Sequence, residues 1–395
     1  MVLQCVIALH APTRTYECAA ARGSRRPYTA GLIVPTGVGA AIGGYAGDAM
    51  PVARALTAVA DTVVTHPNVL NGAQMYWSHD AFQYVEGFAL DEFAAGRWGL
   101  RPASAQKVGL LLDAAIEPEL RLRHLQAADA ARATLGLCVA AHATTDAPLG
   151  VELQMSPSGA SRPDALLAAA RRLQAAGCTA IAVVARFPDD EDEEMLAAYR
   201  AGDGVDAIGG AEAIISHLIT KELRLPCAHA PALPALGLEP GLAPRACAEE
   251  LGHTFLPCVL ANLARAPSLL DGSERPLPGD LRDSLDALVV PADACGGAAV
   301  LALAASDTLV VGVEENTCAM AVSPERLGGG VVRVRSYMEA IGLLAAHKAG
   351  VNPACLTPTV APIADLEVPA EPGHGRSGRV SEEPGERSEL GAAAN

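Results

Sequence analysis

Leu32-Ile33-Val34-Pro35-Thr36-Gly37-Val38-Gly39-Ala40-Ala41-Ile42-Gly43-Gly44-Tyr45-Ala46-Gly47-Asp48 is the stretch whose reading decides the fold. A short β-branched apolar run ends in proline, five glycines make the turn, and residues 51–60 then read as a helix. A strand feeding a helix through a glycine turn is half of a βα unit. The pattern repeats: strands are predicted at about residues 32–35, 62–65, 107–112, 135–140, 180–185, 225–228, 287–291, 308–313 and 331–334, with Ala/Leu helices between them. The fold class is therefore α/β, a mostly parallel sheet with flanking helices in Rossmann-like layers. One helix is marked by Ser161 as N-cap, Pro163 in the first turn, an apolar face of Leu166, Leu167, Ala170 and Leu173, and a stop at Gly177. Another is expected over about 211–222, with Ile214, Ile215, Leu218 and Ile219 inward and Glu212, His217 and Lys221 elsewhere.

Outward from this core, composition excludes several classes. Half of the 395 residues are apolar and 19% are charged, which rules out whole-chain disorder. Aromatic content of 4% and a net charge of −16 argue against nucleic-acid stacking platforms or a broad phosphate-binding face. The acidity is uneven, because Asp189 to Glu194 supply six negative charges in a row and the segment 364–395 nets about four more. The acidic run reads as a solvent-facing loop, and the Pro-, Gly- and Glu-rich end as a disordered tail. Ten scattered cysteines without a C-x-x-C pair give no disulfide framework and fit a reducing compartment. The longest uncharged stretch, residues 27–47, holds six glycines and two prolines, so no membrane span is expected. The first thirty residues carry four arginines and one acid, a composition like that of a transit peptide. The expected organisation is residues 1–30 as a transit peptide or disordered start, 31–363 as one α/β domain or two lobes, and 364–395 as the tail.

In parallel sheets ligands bind beyond the carboxyl ends of the strands. The polar residues there are Thr36 and Gly37, then His66, Asn68 and Asn71, then Asp113, His229, Asp293 and Cys295, and Glu314, Glu315 and Asn316. Gly37, Gly39, Gly43 and Gly44, with the helix starts Gly209-Gly210 and Gly296-Gly297, could offer backbone amides to a phosphate or carboxylate. The alternative is that these glycines only allow tight helix packing. The loop is neither a Walker A motif nor a clean dinucleotide fingerprint, so it names no cofactor. His66 and His229 are candidate proton-transfer groups, and Asp113 or one of Glu314 and Glu315 a candidate orienting acid. No metal is expected. The set Cys227, His229, His253 and Cys258 matches no trusted zinc spacing, while Cys295 and Cys318 stay open as a thiol acid/base pair by analogy only.

Seven of the chain's fourteen aromatics, Tyr76, Trp77, Phe82, Tyr84, Phe88, Phe93 and Trp98, fall within 23 residues. Such a segment is a lid, an interface between copies of the chain, or ordinary core.

The strings Val34 to Gly37 and Gly43 to Asp48, His66 to Gly72, Gly209 to His217 and Cys227 to Pro231 resemble those of domain-of-unknown-function family 3326 of cyanobacteria, algae and plants. The resemblance covers roughly residues 31–363. It implies an organellar protein of cyanobacterial descent, hence a chloroplast location with the cytoplasm as alternative, and it transfers no catalytic residue. The functional expectation is an enzyme acting on a small phosphorylated or carboxylated metabolite at the carboxyl edge of a parallel sheet. The alternative is a non-catalytic small-molecule-binding regulatory or assembly protein.

Overall fold

In the computed structural model, residues 26–150, 162–187, 193–203, 205–206, 208–234, 238–252, 255–282, 285–327 and 329–363 are described. The arginine-rich start, Ser161, most of the acidic run, His253 and the tail lie outside them. The chain divides into a compact unit ending at Pro353 and a second beginning at Ala354.

The strands among the described residues are β1 (Thr29–Leu32), β2 (Thr62–Thr65), β3 (Phe82–Tyr84), β4 (Trp98–Arg101), β5 (Val108–Leu112) and β6 (Val139–Thr144). They continue as β7 (Ala180–Arg186), β8 (Cys227–Ala232), β9 (Ser268–Asp271), β10 (Ala287–Pro291), β11 (Leu309–Val313) and β12 (Val331–Val334). Six of them form a wholly parallel sheet ordered β3-β2-β1-β10-β11-β12. Counted within that sheet the order is 3-2-1-4-5-6, the doubly wound arrangement, with its switch point between β1 and β10. A second parallel sheet, β6-β5-β7-β8, is inserted in the chain between β3 and β10 and has its own switch point between β5 and β7. β4 and β9 pair antiparallel as a small third element.

Parallel strands covered on both faces should read as unbroken apolar runs, and they do. In β7, Ala180, Ala182 and Val184 pack into the core that both large sheets share, while Ile181, Val183 and Ala185 face a separate core under the helix Pro163–Ala175. The helix Leu256–Leu263 buries Leu256, Val259, Leu260 and Leu263 in the shared core, which holds the two sheets in one unit.

All nine predicted strands have a counterpart: β2, β10 and β12 with the expected bounds, the others with shifted edges. The first begins at Thr29 because its ladders to β2 and β10 start there. The strand expected to end before His229 runs on to Ala232, so His229 and Pro231 lie inside β8. A proline is tolerated because β8 is an edge strand bonded only to β7. The aromatic segment builds β3, the helix Gly87–Ala94 and β4: Phe82, Tyr84 and Phe93 are buried, and Phe88 meets Trp98 edge to face with centroids 5.6 Å apart. Tyr76 and Trp77 stay exposed, with the Arg54 guanidinium over the Trp77 ring. The uncharged stretch 27–47 holds β1 and the turn after it, and no helix among the described residues is long and apolar enough to cross a membrane.

Candidate functional site

A cleft of about 1300 Å³ opens beyond the carboxyl ends of both parallel sheets. From the larger sheet it takes Thr36 after β1, His66 after β2, Glu86 after β3 and Gly297 after β10, the strands around the switch point. From the inserted sheet and its helices it takes Glu117, Arg123, Arg186, Glu212, His217 and His229. The volume exceeds that of an ordinary small-ligand pocket.

The floor is set by two imidazoles. The Val34 N–H donates to His66 Nε2 at 3.0 Å, so Nε2 carries no proton and Nδ1 does. Burial pushes His66 down to about 4. His229 is pushed down to about 3, chiefly by burial and then by His217. Its Nδ1 lies 3.0 Å from Ser216 Oγ, whose hydroxyl donates to the Ala213 carbonyl at 3.2 Å. With the Ser216 hydroxyl given to Ala213, His229 donates from Nδ1 to Ser216 Oγ and its Nε2 faces Glu212 Oε2, 3.6 Å away. Burial raises the Glu212 carboxyl well above the usual range, and Asp206 and Glu249 add to it. Burial thus disfavours the charged form of both partners. Glu212 and Ser216 are four residues apart on the helix Gly209–Leu223, which places both on the face turned to β8.

Carboxyls of the protein occupy three helix starts at the cleft, among them the two expected at Gly209-Gly210 and Gly296-Gly297. Glu86 caps the helix Gly87–Ala94 through the N–H groups of Phe88 and Ala89, and its other oxygen meets His217 Nδ1. Burial pulls His217 down, but Glu86 and Asp91 outweigh it and its pKa is raised. Asp206 accepts from the Ile208 N–H at 3.0 Å ahead of Gly209, and Asp91 accepts from the Ala299 N–H at 2.9 Å just after Gly297. Gly37, at φ +69°, approaches Gly210 so closely that a Cβ there would stand 3.2 Å from its N. Gly37, Gly209 and Gly210 are used on one another, two backbones packed together.

The other candidates divide by position. Thr36, Asn68 and Asn71 line the cleft, with Asn68 Nδ2 donating to the Gly43 carbonyl at 2.7 Å and Asn71 Oδ1 accepting from Tyr84 Oη at 2.9 Å. Gly39, Gly43 and Gly44 lie in a turn closed by the Gly43 N–H on Asp48 at 2.6 Å. Asn316 is buried and pins that turn, bonding Ile42 N–H and carbonyl at 2.8 Å and Tyr337 Oη at 2.7 Å. Asp113 does not reach the cleft: it is fully buried and accepts from the N–H groups of Ala115, Leu149 and Arg186. Glu314 pairs with Arg333 at 2.8 Å and Glu315 accepts from the Tyr337 N–H at 3.0 Å, and neither lines the cleft. Gly296 packs on Val322, while Gly297 lines the cleft. Cys295 and Cys318, pushed up to about 11 and about 12 chiefly by burial, line no part of it. Among the described residues no three His, Cys, Asp or Glu side chains come together for a metal, and His253 lies outside them.

Residues 29–357 match the family model described as protein of unknown function (DUF3326). The chain belongs to this family. The resemblance read from the glycine and histidine strings thus covers nearly the expected span, and parts of those strings meet at the cleft: Thr36, His66, Glu212 and His229. An uncharacterized lipoprotein of Synechococcus sp. strain PCC 6301 is 54% identical over 338 residues, spanning 84% of this DUF3326 chain and 94% of the relative. No solved structure matches it. Of the residues that make the DUF3326 cleft, sequence reading missed Glu86, Ser216, Asp206, Glu249 and Tyr199. Glu212 and His217 it set aside as polar helix positions. The signal was available in part, since Glu212 and Ser216 have the i, i+4 spacing that shares one helical face.

Proposed function

We propose that the protein is an enzyme that moves a proton on a small phosphorylated or carboxylated metabolite bound in the cleft between the two parallel sheets. The observation that carries this reading is the Glu212–His229 pair, 3.6 Å apart and largely buried, where burial raises the carboxyl and lowers the imidazole. Paired titratable groups pushed toward opposite roles are what acid–base chemistry near neutral pH needs. Glu212 donates and His229 Nε2 accepts, and the gap between them is too long for a direct hydrogen bond, so a ligand atom has room to join the relay. Ser216 keeps His229 in the tautomer with a free Nε2. The anionic group of the metabolite finds its counter-charge in Arg123, which lines the cleft and has no hydrogen-bond or ion-pair partner among the described residues.

A thermal-shift screen against phosphorylated and carboxylated metabolites, with Glu212→Gln and His229→Gln alongside, tests it. A stabilising metabolite should be chemically changed by the wild type, and both variants should still bind it while losing turnover. Binding without any change to the metabolite makes the cleft a non-catalytic binding site, and no stabilising metabolite removes the reading altogether. A chloroplast location is supported by the arginine-rich start and the cyanobacterial relative, and import of a fluorescent fusion bearing residues 1–30 into chloroplasts checks it.

A further inference from the structure

His124 is 1% exposed and lines the cleft from the helix Pro118–Leu135, which follows β5. Its Nδ1 lies 2.8 Å from the Leu120 carbonyl, which can only accept, so Nδ1 carries a proton. Burial lowers the pKa of the ring and outweighs that carbonyl, so the imidazole is neutral and Nε2 is a bare acceptor. No donor meets Nε2 among the described residues. The Nδ1 edge of the ring is turned to the helix backbone, and Nε2, on the opposite edge, points away from the helix. A buried acceptor without a donor is destabilising by about 1–3 kcal/mol, and the proton relay gives this one nothing to do.

The same face of the helix supplies donors and a positive charge. The Glu117 side chain does not cap the helix, and the N–H groups of Glu119 and Leu120 have no partner among the described residues. Arg123 and His124 stand four residues after Glu119 and Leu120, and helical side chains lean toward the N-terminus, so both extend back over the first turn. The Leu120 contact shows this directly for His124. All four residues line the cleft. Of the acids beside them, Glu117 is held by Arg186 Nε at 3.0 and 3.2 Å, and Glu119 is exposed, where water screens its charge.

An anionic group suits the first-turn N–H groups and Arg123, and Nε2 needs a donor. A cationic amine would supply the donor but would face Arg123 and the positive end of the helix. An acid without a hydroxyl would leave Nε2 bare. The two seats lie about one turn, roughly 5 Å, apart along the helix, which puts the donor a few bonds from the anion. We infer that the metabolite of this cleft is a hydroxylated anion, a hydroxycarboxylate or a polyol phosphate, whose hydroxyl donates to His124 Nε2 beside an anionic group held by Arg123 and the N–H groups of Glu119 and Leu120. The inference rests on the cleft being the site of an anionic metabolite and narrows what that metabolite is.

Titration calorimetry on the full chain compares 3-hydroxybutanoate with butanoate, and glycerol 3-phosphate with propyl phosphate. In at least one pair the hydroxylated member should bind at least about tenfold more tightly. His124→Phe, which keeps a flat ring and removes the acceptor, should abolish that preference and leave the affinity for the other member within about twofold; His124→Leu replaces it if the first variant does not fold. Arg123→Gln, at an exposed position, should weaken both members about tenfold. Equal binding within both pairs, no binding of any of the four, or a preference that survives in the folded His124 variant overturns the inference. Equal binding by a wild type that still changes the ligand chemically leaves the proton-transfer reading standing. A hydroxylated anion that binds through His124 and stays unchanged refutes that reading and supports the ligand class, so the two fail separately.

Discussion

Replacing His66 by glutamine should flatten the acid sensitivity of the fold by an amount the structure sets. In the native protein Nε2 accepts the Val34 N–H, and protonation there would turn an acceptor into a donor facing a donor. The folded state therefore resists the proton and titrates at about 4, whereas the unfolded chain takes it up near the ordinary value of about 6.5. A histidine depressed on folding contributes full stability above its unfolded pKa and loses it as pH falls toward the folded value. Between about pH 7.5 and about pH 5 the loss from this one group is roughly 2 kcal/mol, levelling off below about pH 4. Glutamine can accept the same N–H but does not titrate. Urea unfolding of wild type and His66→Gln at both pH values reads the difference: the variant starts about 1–2 kcal/mol lower at the higher pH and should lose about 2 kcal/mol less on acidification. If both proteins lose the same amount, His66 is not held neutral by Val34 and the floor of the cleft is built differently.

Asp113→Ala strands the N–H donors of Ala115, Leu149 and Arg186, one buried and two part-buried, so it should cost about 3 kcal/mol, read as a lowered urea midpoint. Gly37→Ala places a Cβ against Gly210 at a positive φ and should cost about 1–3 kcal/mol in thermal denaturation. Asn316→Ala removes the pin on Ile42 and Tyr337, at about 2 kcal/mol, and should speed amide exchange across residues 38–47 while leaving β7 protected. Glu86→Gln removes the charge that raises His217, so the native stability that is present below pH 6.5 and fades as pH rises through the raised His217 pKa should be absent from the variant's pH profile.

The larger sheet was legible because its strands are buried on both faces, and runs such as Leu309 to Val313, with three valines, hold no polar side chain. β3, β4 and β9 were not, and the partner of Trp98 in the β4–β9 ladder is Asp271, which no local pattern connects to it. The site was half legible. His66 and His229 declared themselves by position at predicted strand ends. Asp113, Glu314 and Glu315 had the same credentials but were drawn into backbone and surface bonds, with partners such as Leu149 and Arg333 that only the tertiary fold brings near. The glycine pairs read equally well as an anion cradle, and what decides between the uses is the carboxyls of Glu86, Asp91 and Asp206, whose approach to helix starts is a tertiary event.

The central claim, a neutral His229 Nε2 poised against a protonated Glu212, is tested most directly by following the His229 ring nitrogens by NMR across a pH titration. The account predicts one neutral tautomer, protonated at Nδ1, from neutral pH down to about pH 4, with titration near about 3. Titration near the ordinary value of about 6.5, or a tautomer protonated at Nε2, would contradict it.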